Sequence, residues 1–249
     1  MRKFRRQVWL WMVAIAWAAK LSFGQEPKPF EGVMQYALSY YDESGRAVER
    51  SLIRVMATPQ RVLIPDMRKI SIFDTNAPRG LDSILVRNDM GDVLVYGKEI
   101  DAYWFKGMEL RLLGLAMKAT PLSDTPVDMS EPQYGGRFTV RDFKTKLYRY
   151  LGENGFRFEL YLTDDYTVNW GLVGGAWLFG SGGLSVEGLD AFLDEGLVPA
   201  RIEAFEGRTK VMSVNLMRMD SMAIDKRSVA KPRGKILHST KDVLWELVR

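Results

Sequence analysis

Cysteine is absent from the 249 residues, and histidine occurs once, as His238. The first absence excludes disulfides, thiolate nucleophiles, thiolate metal sites and a lipid-modified cysteine behind an export signal. The second excludes metal sites built from histidine clusters. It also leaves any Ser–His–Asp chemistry to a histidine near the C-terminus, where a buried scaffold is not expected. The glycine pairs Gly174-Gly175 and Gly182-Gly183 lack the Lys-Ser/Thr or the strand–helix context of a phosphate cradle. EF-hand spacing is missing too, although an oxygen-ligand calcium site stays open. No cofactor, metal ligand set or catalytic residue is assigned.

What is present begins with Arg2, Lys3, Arg5 and Arg6, then an apolar run from Val8 to Ala19, then Ser22 and Gly24 ahead of Gln25. Basic, apolar, then small is the layout of a cleaved secretory signal. The run is shorter than the roughly 20 residues of a membrane span. Cleavage after Gly24 is expected; an uncleaved anchor, with Trp9, Trp11 and Trp17 at the interface, is the competing reading. Residues 1–24 hold five of the 35 bases and none of the 31 acids, so the full-length charge of +4 becomes −1 in the mature chain. A basic footprint for nucleic acid is therefore absent. The expected location is the periplasm or the extracellular space.

Period-two alternation dominates the rest. Met34, Tyr36, Leu38 and Tyr40 share one face of a strand, and Phe156, Phe158, Leu160 and Leu162 alternate with Arg157, Glu159 and Tyr161. The four apolar members should be buried and Arg157 and Glu159 exposed. Turns at 42–45, 88–92, 153–155 and 206–208 separate hairpin partners. A short helix is expected near 108–118 and a proline-rich loop over 119–133. Residues 231–249 look like a tail with one amphipathic turn. About ten strands and few helices point to one mainly β domain over 25–230, a curved antiparallel sheet forming an unclosed half-barrel capped by short helices.

Three short motifs carry a resemblance: Phe30-Glu31-Gly32-Val33, the strand Phe156 to Thr163 followed by Asp164, and the turn Glu195-Gly196-Leu197-Val198-Pro199 entering a late hairpin. Together they are similar to the DUF4412 group of exported bacterial proteins and, more distantly, to periplasmic lipoprotein carriers of the LolA/LolB type, over about residues 30–230. The resemblance implies an open barrel whose concave face encloses an apolar cavity, which in the carriers takes acyl chains. The Gly-rich segment 170–183 is longer than that pattern, and no residue matches the carriers' basic contact, so lipoprotein carriage is not carried over.

The aromatic residues are the remaining candidates. Trp104, Trp170, Trp177, Phe179, Tyr36 and Tyr148 are read as a cavity lining and gate, with glycines letting a lid move. The plainer reading is core, and a third is contact with a membrane surface. Asp164-Asp165 reads as a turn or cap rather than half of a glycosidase pair, and Asp89 and Asp92 as turn residues. The leading expectation is a non-catalytic protein binding an apolar or lipid-like ligand, with an envelope protein as an alternative partner. A structural protein with a filled core and a hydrolase using unrecognised carboxylates are the rivals.

Overall fold

In a computed structural model of the chain, the described residues are 27–65, 81–98, 101–110, 132–152, 155–163, 165–173, 192–193 and 195–242. The strands are β1 (Lys28–Pro29), β2 (Gly32–Tyr41), β3 (Ala47–Ala57), β4 (Arg61–Ile64), β5 (Leu81–Arg87), β6 (Asp92–Gly97), β7 (Asp101–Lys106), β8 (Gln133–Val140), β9 (Phe143–Leu151), β10 (Phe156–Thr163), β11 (Tyr166–Thr167), β12 (Val198–Glu206), β13 (Thr209–Ser221) and β14 (Ile236–Ser239).

Twelve of them form one sheet in the order β14-β7-β6-β5-β4-β3-β2-β13-β12-β10-β9-β8. The ends of that order do not pair, so the sheet is an unclosed barrel, as the strand count and hairpin turns imply. Every neighbouring pair is antiparallel except β14 with β7. β1 and β11 make a separate parallel pair. Among the described residues helical ones are few, and they include 107–110, 192–193 and 240–242.

The hairpin turns set the register, and register assigns the faces. Tyr36, Leu38, Ile53 and Val55 continue through Val62, Val86, Val93 and Phe105 into one apolar cluster on the inner face. A second inner cluster holds Tyr150, Leu160, Leu162 and Phe192. On the outer face, Leu63, Leu85 and Leu94 lie under Val229, with Ile224, Leu237 and Trp104 packed beside them. Residues 222–235 thus form a strap across the outside of β4–β7. It is fastened where the Ile224 N–H donates to Glu31 Oε1 at 3.2 Å, Arg61 donates to the Val229 carbonyl at 3.0 Å and the Lys235 side chain donates through Nζ to the Gly97 carbonyl at 2.6 Å. The chain then enters β14, where His238 meets Asp101 at 2.8 Å. Part of the segment read as a tail is therefore an edge strand of the sheet.

Candidate functional site

The inner face is built in rows, because residues directly opposite in antiparallel strands share a face. One row runs Leu38, Val214, Ile202, Leu160, Tyr148 and Tyr134. The next runs Tyr40, Met212, Ala204, Phe158 and Tyr150. Tyrosines close both ends of the second row, and the small Ala204 sits in its centre.

The hydroxyls of Tyr40 and Tyr150 are buried and have no hydrogen-bond partner among the described residues. Tyr150 is fully buried against Leu160, Leu162 and Phe192, and its ring meets Phe192 edge-on at 6.4 Å. Burial, with a smaller contribution from Tyr148, pushes its phenol well above the ordinary range. The neutral hydroxyl is thus a donor held among apolar groups without an acceptor. A buried orphan polar group is unfavourable and calls for an explanation.

The sequence-derived candidates separate. Tyr36 lies on the inner face, buried, with its hydroxyl on Met34 Sδ at 3.6 Å. Tyr148 lies there too, its ring tilted by 49° against Phe192 with centroids 4.4 Å apart. Trp170 is buried in the larger inner cluster, and its indole N–H donates to the Leu197 carbonyl at 2.8 Å. Gly171 makes that seat: its φ is +51°, and a Cβ there would overlap Asn88, whose amide donates to the Asn169 carbonyl.

Trp104 belongs elsewhere. It pairs with Leu94, faces outward under the strap and donates to Asp92 Oδ2 at 2.8 Å. A site shared between Trp104 and the inner-face tyrosines is therefore ruled out by strand parity. Trp177 and Phe179 lie outside the described residues.

Asp92 also departs from its expected turn role. It is 3% exposed at the start of β6, and it receives Arg87 Nε at 2.7 Å and Arg87 Nη2 at 2.5 Å beside the indole. Oppositely charged residues flanking a hairpin were the available signal.

Glu159 is a further correction. Alternation places it in solvent, whereas it is 8% exposed, as is Glu203 directly across the strand pair. Long neighbours cover both on the outer face. Arg149 Nε donates to Glu159 at 3.1 Å, Tyr161 donates at 3.2 Å, and Arg157 lies 3.2 Å away. Lys210 Nζ donates to Glu203 at 2.5 Å. Tyr161 is held above its ordinary pKa by burial and by Glu159. Two like charges side by side would repel, and these cations offset the repulsion. Glu159 is thus engaged by Arg149 and Arg157, and Glu203 by Lys210. Leu160 and Leu162 are buried as expected, whereas Phe156, Arg157 and Phe158 are half-buried. Among the described residues, no group of three or more His, Asp or Glu could hold a metal ion.

No family model matches the chain, and no curated protein does. Among solved structures, PNGF-II matches at 13% identity and a TM-score of 0.47, covering 86% of this chain and 33% of its own. MucB matches at 11% identity and 0.36, covering 90% and 64%. A LolA superfamily protein from Nitrosomonas europaea matches at 10% and 0.33, covering 83% and 93%. The chain spans about a third of the length of PNGF-II. All three TM-scores are below 0.5, and neither site nor activity follows from them. The LolA superfamily stands among the structural neighbours; the DUF4412 group has no matching family model behind it.

Proposed function

We propose that the protein is an exported, non-catalytic binder of an apolar, lipid-like ligand held on the inner face of the open sheet. The observation that carries this reading is the unpartnered, buried Tyr150 hydroxyl, set among Leu160, Leu162, Phe192 and Tyr148. An apolar body matches the surrounding side chains, and an ester or carboxyl oxygen on the ligand would accept the orphan hydrogen bond. Tyr40, at the far end of the same row, offers a second donor. Trp177 and Phe179 are proposed as the gate.

The test combines mass spectrometry of lipid extracted from natively purified protein with binding of a fluorescent fatty acid. An extracted acyl lipid and saturable probe binding are expected. Tyr150→Phe should weaken the probe about threefold to tenfold, the effect of one hydrogen bond. The same variant should leave thermal stability unchanged or slightly higher, because the orphan hydroxyl is gone. Absence of both lipid and probe binding would sink the proposal and favour a filled structural core.

A further inference from the structure

The outer face of β3, β2, β13, β12, β10 and β9 is not covered by the strap. By register it carries Arg50, Arg54, Arg218, Lys210, Arg201, Arg157 and Arg149 against Glu203, Glu159 and Asp220. All three acids are already ion-paired. Four cations are in surplus on this one face, whereas the mature chain as a whole carries −1. Arg50 and Arg54 make no ion pair among the described residues. Between them on the same face stands Leu52, 61% exposed, and Met217 beyond is 41% exposed. Arg157 stacks over Phe205 at 4.2 Å and Arg201 over Tyr161 at 5.4 Å, so the guanidiniums lie along the sheet rather than extending singly into water.

We infer that this face docks on an anionic phospholipid surface. Six strands at about 4.8 Å spacing give a face some 24 Å across, broad enough to meet many headgroups together. Segregated positive charge matches the negative surface potential of such a membrane. Leu52 and Met217 between the guanidiniums suit the headgroup boundary, where apolar stems bury while charged heads stay wet. The inner face remains free, so docking does not depend on the ligand proposed above.

Co-sedimentation of the mature chain with vesicles tests this. Vesicles containing phosphatidylglycerol should bind at least about tenfold more protein than pure phosphatidylcholine, and added salt should release it by screening. The double charge reversal Arg50→Glu with Arg54→Glu should lower binding at least about fivefold with unchanged near-ultraviolet circular dichroism. If that variant misfolds, Arg50→Gln with Arg54→Gln takes its place. Reversal of the exposed Lys226 and Arg227 on the strap should have little effect; an equal loss there would mean that overall charge alone drives binding and would overturn the assignment. Complete release by inorganic phosphate would point to an isolated phosphate site, and binding to an acidic peptide but not to vesicles would point to a protein partner. Either result overturns it.

Discussion

Strands β4–β7 and strands β9, β10, β12 and β13 belong to one sheet but are stabilised differently. β5 is buried without interruption over Ser83, Ile84, Leu85 and Val86, and β6 over Asp92 to Val95. Both faces are covered there, the inner by Val86, Val93 and Phe105 and the outer by Leu85 and Leu94 under Val229. On β9, β10, β12 and β13 the inner face is apolar, and the outer face is a lattice of arginines, a lysine and glutamates in which Leu147, Ser213, Glu159 and Glu203 are buried. The difference shows that an exposed sheet face can be stabilised by side chains lying across their neighbours, and a doubly covered one needs a separate segment of chain. The strap is that segment.

Breaking the strapped side should be the more damaging. Asp92→Ala leaves Arg87, whose side chain is 12% exposed, buried without its carboxylate, and deprives the Trp104 indole of its acceptor. Removing one partner of a buried pair destabilises by about 3–5 kcal/mol. Urea unfolding should show this; a loss below about 1 kcal/mol would mean that the pair is solvated. Next, Leu85→Ala should lose about 2–5 kcal/mol, since the residue is fully buried between sheet and strap. On the open side, Leu52→Ala should change stability by less than about 0.5 kcal/mol. Similar losses at Leu85 and Leu52 would erase the distinction between the two regions.

The same contrast explains what the sequence discloses. Alternation at Met34–Tyr40 and Leu160–Leu162 marks a face correctly because one side of those strands is polar. Val93-Leu94-Val95 has no alternation, so nothing local says that a second covering layer exists or that residues 222–235 provide it. Aromatic character says nothing of parity, so sequence alone groups Trp104 with the inner tyrosines; its pairing with Leu94 separates them. Glu159 looks exposed as a charged residue on an alternating strand. Its burial depends on Arg157 two residues before it on the same strand and on Arg149, which register brings alongside. Tyr150 could not be singled out at all, because an unpartnered hydroxyl is a property of its surroundings.

The smallest expected effect concerns how the strap is clamped. Arg61 holds the Val229 carbonyl and is itself held by Asp89, with contacts of 3.1 and 2.7 Å. That hydrogen-bonded guanidinium keeps the Asp89 carboxyl below its ordinary pKa. A carboxylate lowered in the folded state adds stability that is present above its ordinary value and is lost as pH falls through the lower folded one. Asp89→Asn should therefore reduce the melting temperature by about 1–3 °C at neutral pH, the range of a partly exposed pair in a protein of this size. The gap from the native protein should close as pH falls through the lowered folded value of Asp89, below which both lack the charge, and it should shrink in high salt. Asp42, Glu109 and Asp242 are also lowered, by hydrogen bonds from Ser44, from the Lys106 backbone and from the Ser239 backbone respectively, so acid will still destabilise the variant. A gap that stays constant with pH would show that the Asp89 charge does not hold Arg61. The strap would then be held by Val229 and Ile224 on the sheet and by the Glu31 and Gly97 hydrogen bonds, without help from the Asp89 charge.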